Sequence, residues 1–309
     1  MVNIKNILIV GGGLMGKNIA FVASSAKEYE ITVYDINPVD VEAGIRQNTK
    51  ELVEKEIISE DELTERLSRI HFTQDLESED VKKADLVVEA VFEDLELKQN
   101  TFAKLEKVCR EDTIFCTNSS VISPTLISKN LQHRERFCGT HFWNPGHLIP
   151  LVEVVKTDAT SDEVADAVMS FMTNIGKKPC LCNKDVPGFI ANRLQHALWR
   201  EAISIVENGI ADAETVDTAV KNSFGLRLPQ LAPLENSDLV GTQLTYNIHS
   251  YVLTDLEDSH EPSPLLSKML EEGKLGFKSG EGFMKWTPEQ IQKCNEDLNT
   301  YLIKMLYNK

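Results

Sequence analysis

A histidine and a glutamate, His141 and Glu153, stand 12 residues apart in the segment HFWNPGHLIPLVEVV. Glu153 interrupts the apolar run LVEVV, which has the composition of a buried strand. A carboxylate buried without a partner is costly, because it loses its hydration. If it accepts a hydrogen bond from one imidazole nitrogen, it fixes the tautomer and leaves the other nitrogen free to take a proton. The pair is therefore a candidate for general acid–base chemistry; the alternative is that His141 ends its strand and Glu153 points to solvent.

A second histidine and two serines could take part in the same chemistry. His147 lies in a loop shortly after His141 and is the alternative general base. Ser119 and Ser120 follow the apolar run TIFCT, and their hydroxyl groups could donate hydrogen bonds to a substrate oxygen. Serines in such a position also form turns or helix caps, so both interpretations stay open. The other histidines are at positions 71, 133, 196, 249 and 260.

A glycine pattern near the start of the chain predicts a dinucleotide site, because GGGLMG has the spacing G-x-G-x-x-G, follows the apolar run NILIV and begins a helical stretch. Glycines let the backbone approach a pyrophosphate, and the start of the helix offers unpaired N–H groups. Asp35 ends the next predicted strand and can accept hydrogen bonds from ribose hydroxyls, which favours NAD over NADP. The predicted cofactor-binding residues of this segment are Gly11, Gly13, Leu14, Met15 and Gly16. The alternative is a glycine-rich turn that binds nothing.

The elements that position these residues alternate in the first half of the chain between short apolar runs and helical patterns. This alternation predicts an α/β fold of the Rossmann type with a doubly wound parallel sheet. Ligands of such sheets bind at the carboxyl ends of the strands, where His141 is expected. The segment TSDEVADAVMSFMTNIG predicts a helix with a capping box of Thr160 and Glu163 and with Gly176 at its end. The predicted strands are residues 6–10, 31–35, 84–91, 113–117, 136–142, 151–155 and 179–182.

The pattern of elements changes at the segment DVPGF, residues 185–189. Pro187 and Gly188 interrupt the chain, and only helical patterns follow them. We therefore predict an NAD-binding domain of residues 1–185 and an all-helical C-terminal domain of residues 186–309.

Composition argues against several classes of partner. The chain of 309 residues has a formal net charge of −16, whereas nucleic acids and anionic membranes need a basic surface. Its six cysteines lack the spacing of a zinc site or of a secreted disulfide framework, so we expect no bound metal and reduced thiols. The sequence shows neither a signal peptide nor an apolar run long enough to span a bilayer. We expect a cytoplasmic protein with a small-molecule substrate.

An ordered set of motifs covers nearly the whole chain. The motifs are GGGLMG, ADLVVEAVFEDLELK, TNSS, HFWNPGHLIPLVEVV, DVPGFIANRL and KLGFKSGEGFMKW. In this order they resemble the signatures of the NAD-dependent 3-hydroxyacyl-CoA dehydrogenases. The resemblance implies an enzyme of fatty acid metabolism that oxidises a 3-hydroxyl group to a ketone. It also implies that the helical domain binds substrate and forms a homodimer.

The resemblance further implies roles for single residues. His141 would be the general base and Glu153 its orienting partner, while Ser120 and Asn192 would contact the reacting oxygen of the substrate. His141 would remove the hydroxyl proton while the hydride on the same carbon passes to the nicotinamide. In the reverse direction His141 would act as an acid, and the developing oxyanion would need hydrogen-bond donors. The residues implied around the cofactor are Glu93, Lys98, Asn144 and Lys278.

Two departures from the family pattern leave the substrate open. The segment LRLPQLAPLENSDLVG, residues 226–241, stands where the family has PMGPFEL. Residues 42–69, where acyl-CoA enzymes usually carry lysines for the CoA phosphates, hold eight acids and five bases. A negative surface is a poor site for several phosphate charges. The segments HLIPLVEVV and NRLQHALWREAISIVENGI look more like the branch that acts on free hydroxy acids, which includes gulonate, carnitine and pyridine-carboxylate dehydrogenases.

Three functions therefore stand as alternatives. The first is an NAD-dependent dehydrogenase of a 3-hydroxyacyl-CoA, and the second is a dehydrogenase of a small free hydroxylated carboxylate. The third is a non-catalytic NAD-binding structural protein, a role known for a lens-protein relative of the family. The joint presence of His141, Glu153, Ser120 and Asn192 argues against the third.

Overall fold

The computed structural model describes residues 4–308, which divide into two units. The first unit contains residues 4–191 and 299–308, and the second contains residues 192–298. This division differs from the predicted domains in two places. The boundary follows Ala191 rather than residue 185, and the end of the chain belongs with the first unit.

The first unit is built on one sheet of eight strands. The strands are β1 (Asn6–Val10), β2 (Glu30–Tyr34), β3 (Ile70–Thr73), β4 (Leu86–Glu89), β5 (Ile114–Thr117), β6 (Phe137–Phe142), β7 (Leu151–Lys156) and β8 (Lys178–Cys182). Their order in the sheet is β3-β2-β1-β4-β5-β6-β7-β8. All neighbours are parallel except β6 and β7, which form an antiparallel pair. The fold is therefore Rossmann-like, as predicted, with an added hairpin at the second half of the sheet.

Helices cover both faces of this sheet. They are α1 (Leu14–Ala23), α2 (Val41–Glu54), α3 (Glu60–Leu67), α4 (Glu79–Lys82), α5 (Leu95–Val108), α6 (Pro124–Ile127) and α7 (Asp162–Asn174). Alternate residues of β1 point to opposite faces: Ile7 belongs to the buried cluster that includes Ile19 of α1. Leu8 belongs to a second cluster, which includes Phe102 of α5. The near-continuous apolar strands follow from this double burial.

Two local predictions for the first unit are wrong. The alternation of elements predicts that β7 continues a parallel sheet, but β7 is antiparallel to β6. The reason is the short connection between them, residues 143–150, which contains no helix. A parallel return would need a crossover of about a dozen residues or more. Ser161, not Thr160, caps α7, because the Ser161 side chain accepts the N–H of Val164. The Thr160 hydroxyl instead donates to the carbonyl of Phe137.

The second unit contains helices and two isolated β-bridges within residues 276–285. The remaining helices are α8 (Ala191–Glu207), α9 (Ala213–Lys221), α10 (Phe224–Arg227), α11 (Pro233–Val240), α12 (Thr242–Val252), α13 (Pro264–Glu271) and α14 (Pro288–Tyr307). The last turns of α14 lie in the first unit, where Ile303 is part of the buried core. Across residues 4–308, none of the helices is both long enough and apolar enough to cross a membrane.

Candidate active site

The β6–β7 hairpin brings the histidine and the glutamate of the sequence pattern together. His141 and Glu153 are directly opposite each other in the antiparallel register. The His141 Nδ1 lies 2.8 Å from Glu153 Oε2, and both side chains are buried. Cross-strand pairing in this hairpin therefore accounts for their contact.

Both carboxylate oxygens of Glu153 are used by the protein. Oε2 also accepts the indole N–H of Trp143 at 3.2 Å, and Oε1 accepts the backbone N–H groups of Ile190 and Ala191, each at 2.9 Å. Burial raises the pKa of Glu153, but the hydrogen bonds from His141, the two backbone groups and Trp143 outweigh burial and lower this pKa to about 2. Glu153 is thus ionised at neutral pH, so Nδ1 of His141 donates the proton of their bond and Nε2 remains available as a base.

Two aromatic side chains hold the imidazole ring in place. The ring centroids of Trp143 and Phe189 lie 5.5 and 5.6 Å from that of His141, both in tilted geometry. Phe189 is buried and has a φ of +49°, in the left-handed region that non-glycine residues rarely adopt. This turn directly precedes the two N–H groups that bind Glu153. The left-handed backbone at Phe189 therefore positions both the N–H groups that bind the Glu153 carboxylate and the aromatic ring that packs against His141.

Ser120 lies on the side of His141 that is free to react. Its Oγ is 3.1 Å from His141 Nε2. Ser119, the second predicted serine, is turned into the protein, where its hydroxyl donates to Glu93. Only Ser120 of this pair is therefore in a position to contact a substrate oxygen next to His141.

Glu93 organises the loop that carries Ser120. Its Oε1 accepts the backbone N–H groups of Ser120 and Val121, each at 3.1 Å, in addition to the Ser119 hydroxyl. Burial raises the pKa of Glu93, but these donors and the nearby charge of Lys98 lower it below its usual value. The resemblance places Glu93 at the cofactor; in this structure its contacts are with the serine loop.

Lys98 is buried in the protein rather than exposed for a ligand. Its Nζ lies 2.7 Å from Glu89 Oε1 and 3.4 Å from Glu93 Oε2, and its side chain is 1% exposed. Glu89 also accepts the hydroxyl of Thr117 at 2.7 Å, which connects β4 to β5. A direct contact of Lys98 with the cofactor stays a prediction, and the ion pair with Glu93 is the link from Lys98 toward the site.

The glycine segment has the geometry of a pyrophosphate cradle. A Cβ on Gly16 would lie 1.8 Å from the carbonyl oxygen of Gly11, and Gly11 has a φ of +105°, so both positions require glycine. Gly13, directly before α1, faces open space, and no side chain caps this helix start. Asp35 is oriented by the same segment, because its Oδ2 accepts the N–H of Gly12 at 2.7 Å. Open space at a helix start beside a positioned carboxylate fits a dinucleotide.

The other predicted site residues are distributed between the two units. Asn144 is exposed in the loop after β6. Asn192 and Lys278 belong to the second unit, Lys278 at an exposed turn, so their roles stay predictions. The Nδ1 of His147 is buried without a hydrogen-bond partner among residues 4–308. Burial and the charge of Lys177 lower the pKa of His147 to about 4, which makes it a weak base.

The sequence pattern did not indicate Trp143 as a neighbour of the pair formed by His141 and Glu153, nor Lys177 as a neighbour of the loop between their strands. Trp143 stands two residues after His141, so on a strand both would point to the same side, and this alternation could have indicated it. Lys177 directly follows a helix end and gives no local signal. The described residues include no group of three potential metal ligands, and the six cysteines are free, Cys116 and Cys138 being 3.6 Å apart at Sγ.

Two family models match most of the chain. The sequence model of the 3-hydroxyacyl-CoA dehydrogenase NAD binding domain matches residues 6–186, and that of the 3-hydroxyacyl-CoA dehydrogenase C-terminal domain matches residues 188–286. The chain belongs to the 3-hydroxyacyl-CoA dehydrogenase family. As a member of this family it is an NAD-dependent oxidoreductase that acts on CH–OH groups.

Relatives in the family differ in substrate. Human mitochondrial hydroxyacyl-coenzyme A dehydrogenase is 37% identical over 292 residues, which cover 92% of this chain and 91% of the relative. The 5-formyl-3-hydroxy-2-methylpyridine 4-carboxylate 5-dehydrogenase of Mesorhizobium japonicum is 30% identical over 290 residues, with 94% and 93% covered. A solved structure of a dehydrogenase of that pyridine carboxylic acid, described as an NAD+-dependent dismutase, superposes with a TM-score of 0.89 at 29% identity and covers 98% of this chain and 97% of its own.

Proposed function

We propose that this protein oxidises a hydroxyl group to a ketone with His141 as the general base. The observation that carries the proposal is the buried pair in which Glu153 holds Nδ1 of His141 at 2.8 Å and leaves Nε2 facing Ser120. In the oxidation His141 Nε2 takes the hydroxyl proton, and the carbon bearing that hydroxyl loses a hydride. NAD, when bound, supplies the hydride acceptor.

Each neighbouring residue has a distinct task in this proposal. Glu153 stays ionised and stabilises the imidazolium that forms when His141 takes the proton. Ser120 donates a hydrogen bond to the substrate oxygen, which carries growing negative charge in the reverse direction. Asn192 is proposed as a second donor to that oxygen, and Asp35 with Gly11, Gly13 and Gly16 as the cofactor cradle. Asn144 and Lys278 are proposed as further cofactor contacts.

The variant His141→Gln tests the general base. We expect turnover to fall by about 10²–10⁴-fold, the usual contribution of general base catalysis, while NADH affinity stays within about twofold of wild type. Steady-state kinetics measure turnover, and calorimetric titration measures NADH binding. His147→Gln is the matched control and should retain most activity, because His147 is a weak base.

The opposite result would change the assignment. If His141→Gln turns over like wild type and His147→Gln does not, His147 is the base. If the wild-type protein converts no hydroxylated substrate, neither variant can lower turnover. That result would support the non-catalytic alternative.

The first candidate substrate is a 3-hydroxyacyl-CoA, in line with the name of the human relative. A free hydroxylated carboxylate is the second candidate, and the charges of α2 and α3 favour it. Four of the five bases of residues 42–69 form ion pairs with carboxylates of the same segment. These pairs are Arg46 with Glu42 and Glu60, Lys50 with Glu54, Arg66 with Glu62, and Arg69 with Glu65. Cations already paired in a negative segment are poorly placed to bind the phosphates of CoA.

A panel of paired substrates separates the two candidates. Each 3-hydroxy acid is offered as its CoA thioester and as the free acid, and NADH formation is followed by absorbance. Turnover of thioesters alone supports the first candidate, and turnover of free acids alone supports the second. Free CoA added to the second assay is the control, since it should not inhibit at millimolar concentration if residues 42–69 repel it.

A further inference from the structure

A buried lysine holds the loop that connects β6 to β7. These strands carry His141 and Glu153, which we call the proton-transfer pair. Lys177 is 5% exposed, and its Nζ donates to the carbonyls of Gly146 at 2.6 Å and Ile149 at 2.8 Å. Both acceptors belong to the loop of residues 143–150 between β6 and β7. The lysine therefore satisfies two carbonyl groups of a segment that has no regular secondary structure.

The end of α7 fixes the position of this lysine. Gly176 adopts a φ of +79°, and the backbone N–H of Lys177 returns to the carbonyl of Met172 at 2.9 Å. This is the hydrogen-bond pattern of a helix C-terminus that ends in a left-handed glycine. Lys177 thus extends from a rigid helix end, and its side chain has little freedom to move away from the loop.

The opposite side of the loop packs against α1. A Cβ on Gly146 would lie 3.0 Å from the Cβ of Asn18 and 3.2 Å from the Cε of Met15, so the backbone approaches the helix closely. The loop is therefore held between Lys177 and the helix that follows the glycine cradle. Asn144, a proposed cofactor contact, lies in this loop.

The lysine is expensive for the fold to keep. No carboxylate lies within ion-pair distance of Lys177 in the part of the chain that the structure describes, and burial lowers its pKa to about 8. The Nζ also lies over the ring of Phe142, 5.7 Å from its centroid. A methionine would fill the same space without the desolvation cost, so packing alone does not account for a lysine here.

We propose that Lys177 is a positioning residue that holds loop 143–150 against α1 and thereby sets the affinity for NAD. The proposal rests on the proposed cofactor site. Lys177 acts through the loop and touches neither the proton-transfer pair nor the reacting carbon, so its removal should affect cofactor binding more than the chemical step.

Lys177→Met, with Lys178→Met as the matched control, tests this inference. Lys178 is the exposed neighbour, so the control removes the same charge without removing a loop contact. We expect Lys177→Met to weaken NADH binding at least tenfold and to raise KM for NAD+ by a similar factor, with kcat within threefold of wild type. Hydrogen exchange at residues 146–149 should accelerate while that of α7 does not. Lys178→Met should match wild type in all of these measurements.

Three outcomes would overturn the proposal. The first is wild-type NADH affinity in a folded Lys177→Met protein, and the second is a loss confined to kcat. If Lys177→Met does not fold, Lys177→Gln, which keeps an amide donor, replaces it; failure of both variants to fold would assign Lys177 to folding alone. An inactive wild-type protein would count against the proposed function and would remove the kinetic comparison, but NADH titration and hydrogen exchange would still test this inference.

Discussion

At the scale of residues, the site consists of side chains whose polar atoms are nearly all engaged. Both carboxylate oxygens of Glu153 accept hydrogen bonds, and Glu93 accepts the backbone N–H of Ser120. Nε2 of His141 and the hydroxyl of Ser120 are the polar groups that we expect to contact a substrate. The open space in front of Gly13 is where we expect the cofactor. Pre-organised groups of this kind do not have to rearrange when charge develops on a substrate.

The glycines of the cradle should separate cofactor binding from folding. Gly13→Ala places a methyl group in open space, so we expect unchanged stability and NADH binding weakened at least tenfold, because the backbone can no longer approach the pyrophosphate. Gly16→Ala should destabilise the fold, since its Cβ would collide with the Gly11 carbonyl. Thermal unfolding and NADH titration measure the two effects. Equal NADH affinity for Gly13→Ala and wild type would contradict the assignment of this cradle.

The low pKa of Glu153 predicts an acid-dependent loss of stability. Its folded pKa of about 2 lies below the ordinary value of 4.5, so the stabilisation is complete above about pH 4.5 and is lost as pH falls toward 2. We expect the difference in unfolding free energy between wild type and Glu153→Gln to decrease by about 3 kcal/mol over that interval. Urea denaturation at a series of pH values measures the difference, and Glu163→Gln on the exposed face of α7 controls for the loss of one charge. A difference that does not change with pH would contradict the hydrogen-bond network described for Glu153.

Residue types predicted the contact between His141 and Glu153, but not the backbone groups that donate to Glu153. His141 and Glu153 could be paired from the sequence because a charge inside an apolar strand requires a partner. The backbone donors at Ile190 and Ala191 could not, since they reach Glu153 across 37 and 38 residues of sequence. Side-chain type carries no information on such contacts, which depend on the tertiary fold.

At the scale of elements, the antiparallel hairpin is the feature that brings His141 and Glu153 together. In a parallel arrangement β7 would not place Glu153 in register with His141, whereas the hairpin does so directly. Apolar composition predicted β6 and β7 but not their relative direction, because buried strands have the same composition in both arrangements. The edge strand β3 is absent from the predicted strands because its composition is not that of a buried strand. It is half exposed, and His71 interrupts its apolar residues.

The last turns of α14 should stabilise the first unit. Ile303 is buried in the same core cluster as Ile45 of α2 and Leu63 of α3. We expect Ile303→Ala to lower the free energy of unfolding by about 3 kcal/mol through lost burial and a cavity. Met305→Ala, at a position that is 51% exposed on the same helix, should cost less than about 0.5 kcal/mol. Equal stability of the two variants in urea denaturation would show that the helix end does not support the first unit.

At the scale of the whole molecule, the second unit exposes many large apolar side chains. The helices α8 to α12 contain no buried residue in the described chain. Large side chains such as Tyr251 and Leu234 are more than 80% exposed. Extended apolar surfaces of this kind are typical of interfaces in obligate oligomers. The predicted homodimer would cover this surface with a second copy, and it remains a proposal.

Light scattering across a concentration series tests the homodimer. We expect a mass twice that of the 34.7 kDa chain at micromolar concentration, because covering the exposed apolar side chains of the second unit would favour association. The dimer should persist in 1 M NaCl, whereas association through surface charges would weaken as salt screens them. A mass of one chain at micromolar concentration would contradict the proposal.

Glu153 binds His141 with one carboxylate oxygen and two backbone N–H groups with the other. This arrangement limits how His141 and Glu153 could be grafted onto another protein. Grafting only the hairpin would supply the imidazole and the carboxylate but leave one carboxylate oxygen without its two backbone donors. Burial would then raise the pKa of that carboxylate, and the imidazole would lose its ionised partner. The smallest transferable unit is therefore discontinuous: the hairpin of residues 137–156 together with the left-handed turn at Phe189 and the two residues after it.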